Sequence, residues 1–113
     1  MKEFNFIDRS ETLKVEGVEY KIDVSNYDFM KACQEKITPL EEAHKKFNKD
    51  KDITGLIEVI KPIINLILND DFERLWEIAG HNVFSMIDLT SVITEMIQKG
   101  FIYKRSEYVQ PAN

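Results

Sequence analysis

Two histidines, one cysteine and a few carboxylate clusters are the side chains through which this chain could do chemistry. His44 and His81 lie far apart in sequence, and neither has a cysteine beside it. A zinc site or a catalytic triad needs several convergent groups, so each histidine reads as a polar residue at a helix edge. Cys33 falls on an apolar helical face, where packing is the default use of a thiol. No GxSxG, HExxH, Walker or dinucleotide glycine pattern occurs. Glu41-Glu42 and Asp70-Asp71 are sequence neighbours, which diverge on a helix. They suit caps and solvated surface better than paired acid–base work.

One stretch comes close to a metal motif. Asp50, Asp52, Thr54 and Gly55 match the opening of a calcium-binding EF-hand loop, and Ile57 suits its apolar position. The place of the bidentate glutamate is taken by Lys61, which removes two oxygen ligands and adds positive charge to the cation site. The expectation is therefore a helix N-terminus with Asp52 or Thr54 near its cap. No catalytic residue, cofactor or metal ligand is assigned to the chain.

Such residues have to be carried by a fold, and 113 residues suit one domain spanning 1–113. Hydrophobic residues at 43% and charged residues at 31% exclude general disorder. A net charge of −5 argues against nucleic acid, because a phosphate-backbone binder needs a basic face. It favours a partner with basic patches. A single cysteine excludes an internal disulfide and fits a reduced compartment. The N-terminus lacks an apolar core of signal-peptide length. The longest apolar stretch, Val59 to Leu68, is broken by Lys61, Pro62 and Asn65 and is too short to span a bilayer. A cytoplasmic protein, neither secreted nor membrane-inserted, is expected.

The hydrophobic pattern predicts a mainly α chain with a small N-terminal β-hairpin, an α+β fold. The hairpin covers about 12–24. With Glu16-Gly17 as a two-residue loop, Val15 faces Val18 and Leu13 faces Tyr20, while Lys14 lands opposite Glu19. Phe4, Phe6 and Ile7 could add a strand or hook onto the same face. The helical part, about 26–100, forms a compact domain of about four helices, kinked near Pro39 and Pro62. Ser25 and Asp28 resemble a capping box for the first, whose face is Phe29, Cys33, Ile37, Leu40, His44 and Phe47. The second runs from about Ile53 to Leu68 and is apolar around most of its circumference, as a helix buried on several sides would be. Asp70 or Asp71 can cap a short third helix, which Gly80 can end. Asp88 is expected to cap the last, with Leu89, Val92, Ile93, Met96 and Ile97 as its stripe and Gly100 as its stop. The tail 104–113 reads as loose.

What remains is apolar surplus. Ile78 to Thr94 contains one formally charged residue, Asp88, and Met30, Met86 and Met96 add adaptable side chains. Part of that surplus is expected to form an interface with a partner or a second copy of the chain. The partner-binding candidates are Ile57, Ile60, Ile64 and Ile67 on one helix, with Phe84, Met86, Ile93 and Met96 near the last.

The order of elements resembles that of a known family. The hairpin sequence Val15 to Asp23 precedes an acidic-basic helix and an isoleucine-rich helix. A segment from Phe72 to Gly80 follows, and then a closing helix from Asp88 to Ile97. From about Leu13 to Phe101 this is similar to the tail assembly chaperones of long-tailed phages and prophages of Gram-positive bacteria. The resemblance implies a non-enzymatic protein that coats the helical tape measure protein and recruits the major tail protein during tube assembly. It also implies self-association. The alternative from the residues alone is a small acidic regulatory or adaptor domain that binds a basic protein.

Overall fold

A computed structural model of the chain describes residues 1–103, so the expected loose tail at 104–113 lies outside the described residues. Strands β1 (Glu11–Val15) and β2 (Val18–Ile22) pair antiparallel. Leu13 stands opposite Tyr20, Lys14 opposite Glu19 and Val15 opposite Val18, the register set by the alternating pattern. The turn holds Glu16 at φ 47° and Gly17 at φ 80°, both left-handed, as a two-residue hairpin loop requires. One face of the ribbon turns inward: Tyr20, Ile22 and Val24 are buried, and Leu13 and Val15 half-buried.

Residues Phe4, Phe6 and Ile7 form no third strand. Both Ser10 N–H and Ser10 Oγ donate to Asp8 Oδ1, at 2.9 and 2.6 Å, and this local turn redirects the chain ahead of β1. An exposed ion pair of 3.0 Å joins Asp8 to Lys21 on β2. The two phenyl rings pack edge-on against each other at 5.3 Å and stay exposed.

Pro39 divides the first helical stretch into α1 (Tyr27–Ile37) and α2 (Leu40–Asp50). The cap of α1 is Asn26, whose side chain accepts the Phe29 N–H at 3.0 Å, and not Ser25. Ser25 is turned back onto Asp23 instead. Asp52 caps α3 (Ile53–Ile67), accepting the Gly55 N–H at 3.0 Å. That helix runs unbroken through Pro62. Asp71 stands at the N-cap of helix α4 (Phe72–Ile78) as expected but makes no side-chain cap bond; Asn65 Oδ1, from α3, accepts the Phe72 N–H at 3.0 Å instead. Gly80 at φ 65° and His81 at φ 58° turn the chain into α5 (Val83–Gly100). Here Asn82, accepting the Ser85 N–H at 2.9 Å, is the cap, so α5 begins a turn and a half before the expected Asp88.

Helix α3 is the axis of the core, packed against α1, α2, α4 and α5. Leu56, Ile60, Ile63, Ile64 and Ile67 are buried on it, which is why so much of its circumference is apolar. Around them lie the hairpin residues, Cys33, Ala43, Phe72, Leu75, Met86, Ile93 and Ile97. Thr90 is the buried polar residue of α5, and its Oγ1 donates to Met86 O at 2.7 Å. Among the described residues no buried side-chain polar atom lacks a partner, and no helix is long and apolar enough to cross a membrane.

Cys33 is fully enclosed, and desolvation pushes its thiol up to about 11. Because the folded value lies above the unfolded one, stability from the neutral thiol is complete below about pH 8.5. It is lost as pH rises towards the folded value. We expect native protein to react negligibly with a thiol reagent such as DTNB at neutral pH, and denatured protein to react at the rate of a free cysteine. Fast labelling of the native state would contradict the burial.

Candidate functional site

The side chains singled out for chemistry are each drawn into local structure. Asp52 is occupied as the α3 cap, and Gly55 stands close enough that a Cβ there would lie 2.3 Å from Asp52 Oδ2. Lys61 pairs with Glu73 at 2.8 Å, and its ammonium lies 5.8 Å from the centroid of the Phe72 ring. Asp50 ends α2. His44 is half-buried on α2, and Glu41 and Glu42 both reach Lys45 on the surface. No group of three or more His, Cys, Asp or Glu among the described residues could hold a metal ion.

His81 belongs to a stacked row. Its ring lies on Trp76 at 4.9 Å and 13°, and Trp76 lies on Phe72 at 5.6 Å and 19°. His81 Nε2 is 2.7 Å from Glu77 Oε1. Two rings of the chain therefore stack on the indole, joining α4 to the turn that leads into α5.

A second polar cluster, absent from the sequence reading, joins the hairpin to α4. Tyr20 Oη donates to Asp71 Oδ2, Arg74 Nε donates to the same oxygen at 2.8 Å, and Arg74 Nη2 donates to Tyr20 Oη at 2.9 Å. Tyr20 and Asp71 are 51 positions apart, so no local pattern could have paired them. The Arg74 guanidinium, followed by the Tyr20 hydroxyl, holds the Asp71 carboxyl below the usual carboxylate range. Asp8 is held low in the same way by Ser10 and Lys21. Burial, with the Asp71 carboxylate beside it, raises the Tyr20 phenol.

The sign of the pH dependence follows. Both carboxyls have folded values below their unfolded ones, so their contribution is present above about pH 4. It is lost as pH falls through the folded values. The urea midpoint should be flat near neutrality and drop on acidification below about pH 4. Asp71→Asn should start lower at neutral pH and lose less on acidification, and equal acid sensitivity of the two proteins would exclude Asp71 as a source.

The structure separates the eight partner-binding candidates into two groups. Ile60, Ile64, Ile67, Met86 and Ile93 are buried, at 3% exposure or less, in the core that α3 shares with its neighbours. They are used in holding this chain together and present no surface to a partner. Ile57 and Met96 are half-buried, and Phe84 stands 67% exposed beside Phe47, with its ring 6.3 Å away. Two further residues are exposed on α4 and α5: Ile78, and Val92, which the sequence placed in the packed stripe. A sequence signal marks this region, since no Lys or Arg occurs between Leu75 and Gln98.

No protein-family model matches the chain, and no curated protein or solved structure matches it.

Proposed function

We propose that this protein acts by binding other proteins, as a tail assembly chaperone of the kind found in long-tailed phages and prophages. In this reading it holds the tape measure protein in the host cytoplasm and recruits the major tail protein during tube assembly, without catalysing a reaction. The observation that supports it best is the contrast within the apolar surplus. Most of that surplus fills the core, while Ile78, Phe84 and Val92 remain exposed on α4 and α5 at 48%, 67% and 52%. Exposed apolar side chains on helices whose other apolar residues are largely packed inward suit reversible contact with an apolar partner helix. The order of elements supplies the specific role. The test is co-expression with a long, helical phage tape measure protein. Increased solubility of that protein, with co-purification of the two, is the expected result, and no change in either would remove the reading.

A further inference from the structure

The proposed binding surface has a chemical character that specifies its partner more narrowly. Helix α5 turns Phe84, Asp88, Ser91, Val92 and Glu95 outward, all exposed. At 100° per residue these five positions fall within one face of about a third of the circumference. The face therefore offers two large apolar side chains with a carboxylate between them and another one turn beyond. Glu95 is paired with Lys99 at 2.9 Å, whereas Asp88 has no ion pair among the described residues. From Leu75 to Gln98 the charged residues are Glu77, Asp88 and Glu95, and none is basic.

We infer that the outer face of α5 docks an amphipathic helix whose apolar stripe is flanked by lysine or arginine, a conclusion that rests on the protein-binding function proposed above. The two halves of the contact do different work. Phe84 and Val92 supply the apolar area that drives association. Asp88 sets its polarity, because an acidic helix would place like charges together while a basic one pairs with this carboxylate, which has no ion pair among the described residues. At 18 residues α5 is about 27 Å long, enough to meet five turns of a partner helix.

The experiment uses the full chain and two synthetic helical peptides as long as α5, with the same leucine stripe but flanked by lysine in one and by glutamate in the other. Fluorescence anisotropy should show the basic peptide binding at least about tenfold more tightly than the acidic one, a preference that shrinks as salt screens the pair. The double variant Phe84→Ser/Val92→Ser keeps the net charge and should weaken the basic peptide by at least about tenfold. Tyr27→Ser, at an exposed aromatic on α1, should not weaken it. Asp88→Lys should narrow or reverse the preference. Circular dichroism on each variant checks that the helices are retained. Equal binding of both peptides, or undiminished binding to the double variant, would overturn the inference. If the double variant still solubilises the co-expressed partner, the chaperone reading stands and this surface is wrong. If co-expression fails while the peptides behave as expected, the surface stands and the phage role falls.

Discussion

Ile64→Ala should lower the unfolding free energy by about 3 kcal/mol, within the range of about 2–5 kcal/mol for a fully buried isoleucine. Ile64 has no exposed surface and sits in the last turn of α3, the helix that touches every other helix of the fold. Its neighbours on both turns, Ile60 and Ile67, are buried as well, so the lost atoms leave a cavity that cannot collapse without moving the axis of the core. Against a total stability of about 5–15 kcal/mol, this is a large fraction, and it should lower the melting temperature by about 10 °C or more. Phe84→Ala removes a larger side chain that is mostly in water, and should cost about 1 kcal/mol or less. Urea unfolding of the two variants decides between them. A mild Ile64→Ala beside a severe Phe84→Ala would reverse the assignment of core and surface.

That comparison also shows where sequence pattern stops being informative. The hairpin could be read to the level of individual pairs because period-two alternation, a two-residue turn with glycine and an opposite-charge pair all select one register. Pro39 ended a helix as expected, since its ring and missing N–H act locally. At Pro62, where a kink was expected, α3 continues as one helix, and the buried isoleucines on both sides supply packing that offsets a local cost of about 3 kcal/mol. The start of α5 was misplaced for a related reason. Asp88 and Asn82 are both competent caps, and the choice between them lies in the chain reversal at Gly80 and His81, which frees Asn82 to receive the Ser85 N–H.

The binding face was less legible than the fold. Periodicity finds the apolar positions of a helix, but it cannot say which of them a neighbouring helix covers. Met86, Ile93 and Phe84 carry similar signals in sequence, yet the first two are buried in the core that α5 shares with α3, while the Phe84 ring meets Phe47 of α2 and stays exposed. The charge pattern was the better guide, since the absence of lysine and arginine between Leu75 and Gln98 is a property of the sequence alone. The Tyr20–Asp71–Arg74 cluster had no such guide. It exists because the hairpin folds back onto the start of α4, a contact between distant segments.

The closing contact between hairpin and helix should be similarly sensitive. Gly100 ends α5, but its role is close approach and not a left-handed turn: a Cβ at this position would lie 2.1 Å from Val24 Cγ2 and 2.9 Å from Val24 Cβ. Rotating the valine side chain cannot relieve the second distance, so the backbone of one element must yield. Alanine gains about 1 kcal/mol over glycine in helix propensity, which offsets part of the cost. Overpacking against a residue that is 3% exposed should still leave Gly100→Ala net destabilised by about 1–3 kcal/mol. Val24→Ala alone should cost about 2 kcal/mol for the two methyl groups removed from the core. If steric overlap is the cause, the double variant will be more stable than the sum of the single losses implies, with a coupling of about 1 kcal/mol or more. Rescue should be incomplete, because the Cβ at position 24 remains close. Strict additivity in urea unfolding would mean that Gly100 is required for some other reason, whereas coupling would show that the last turn of α5 is pinned by the residue that leaves the hairpin.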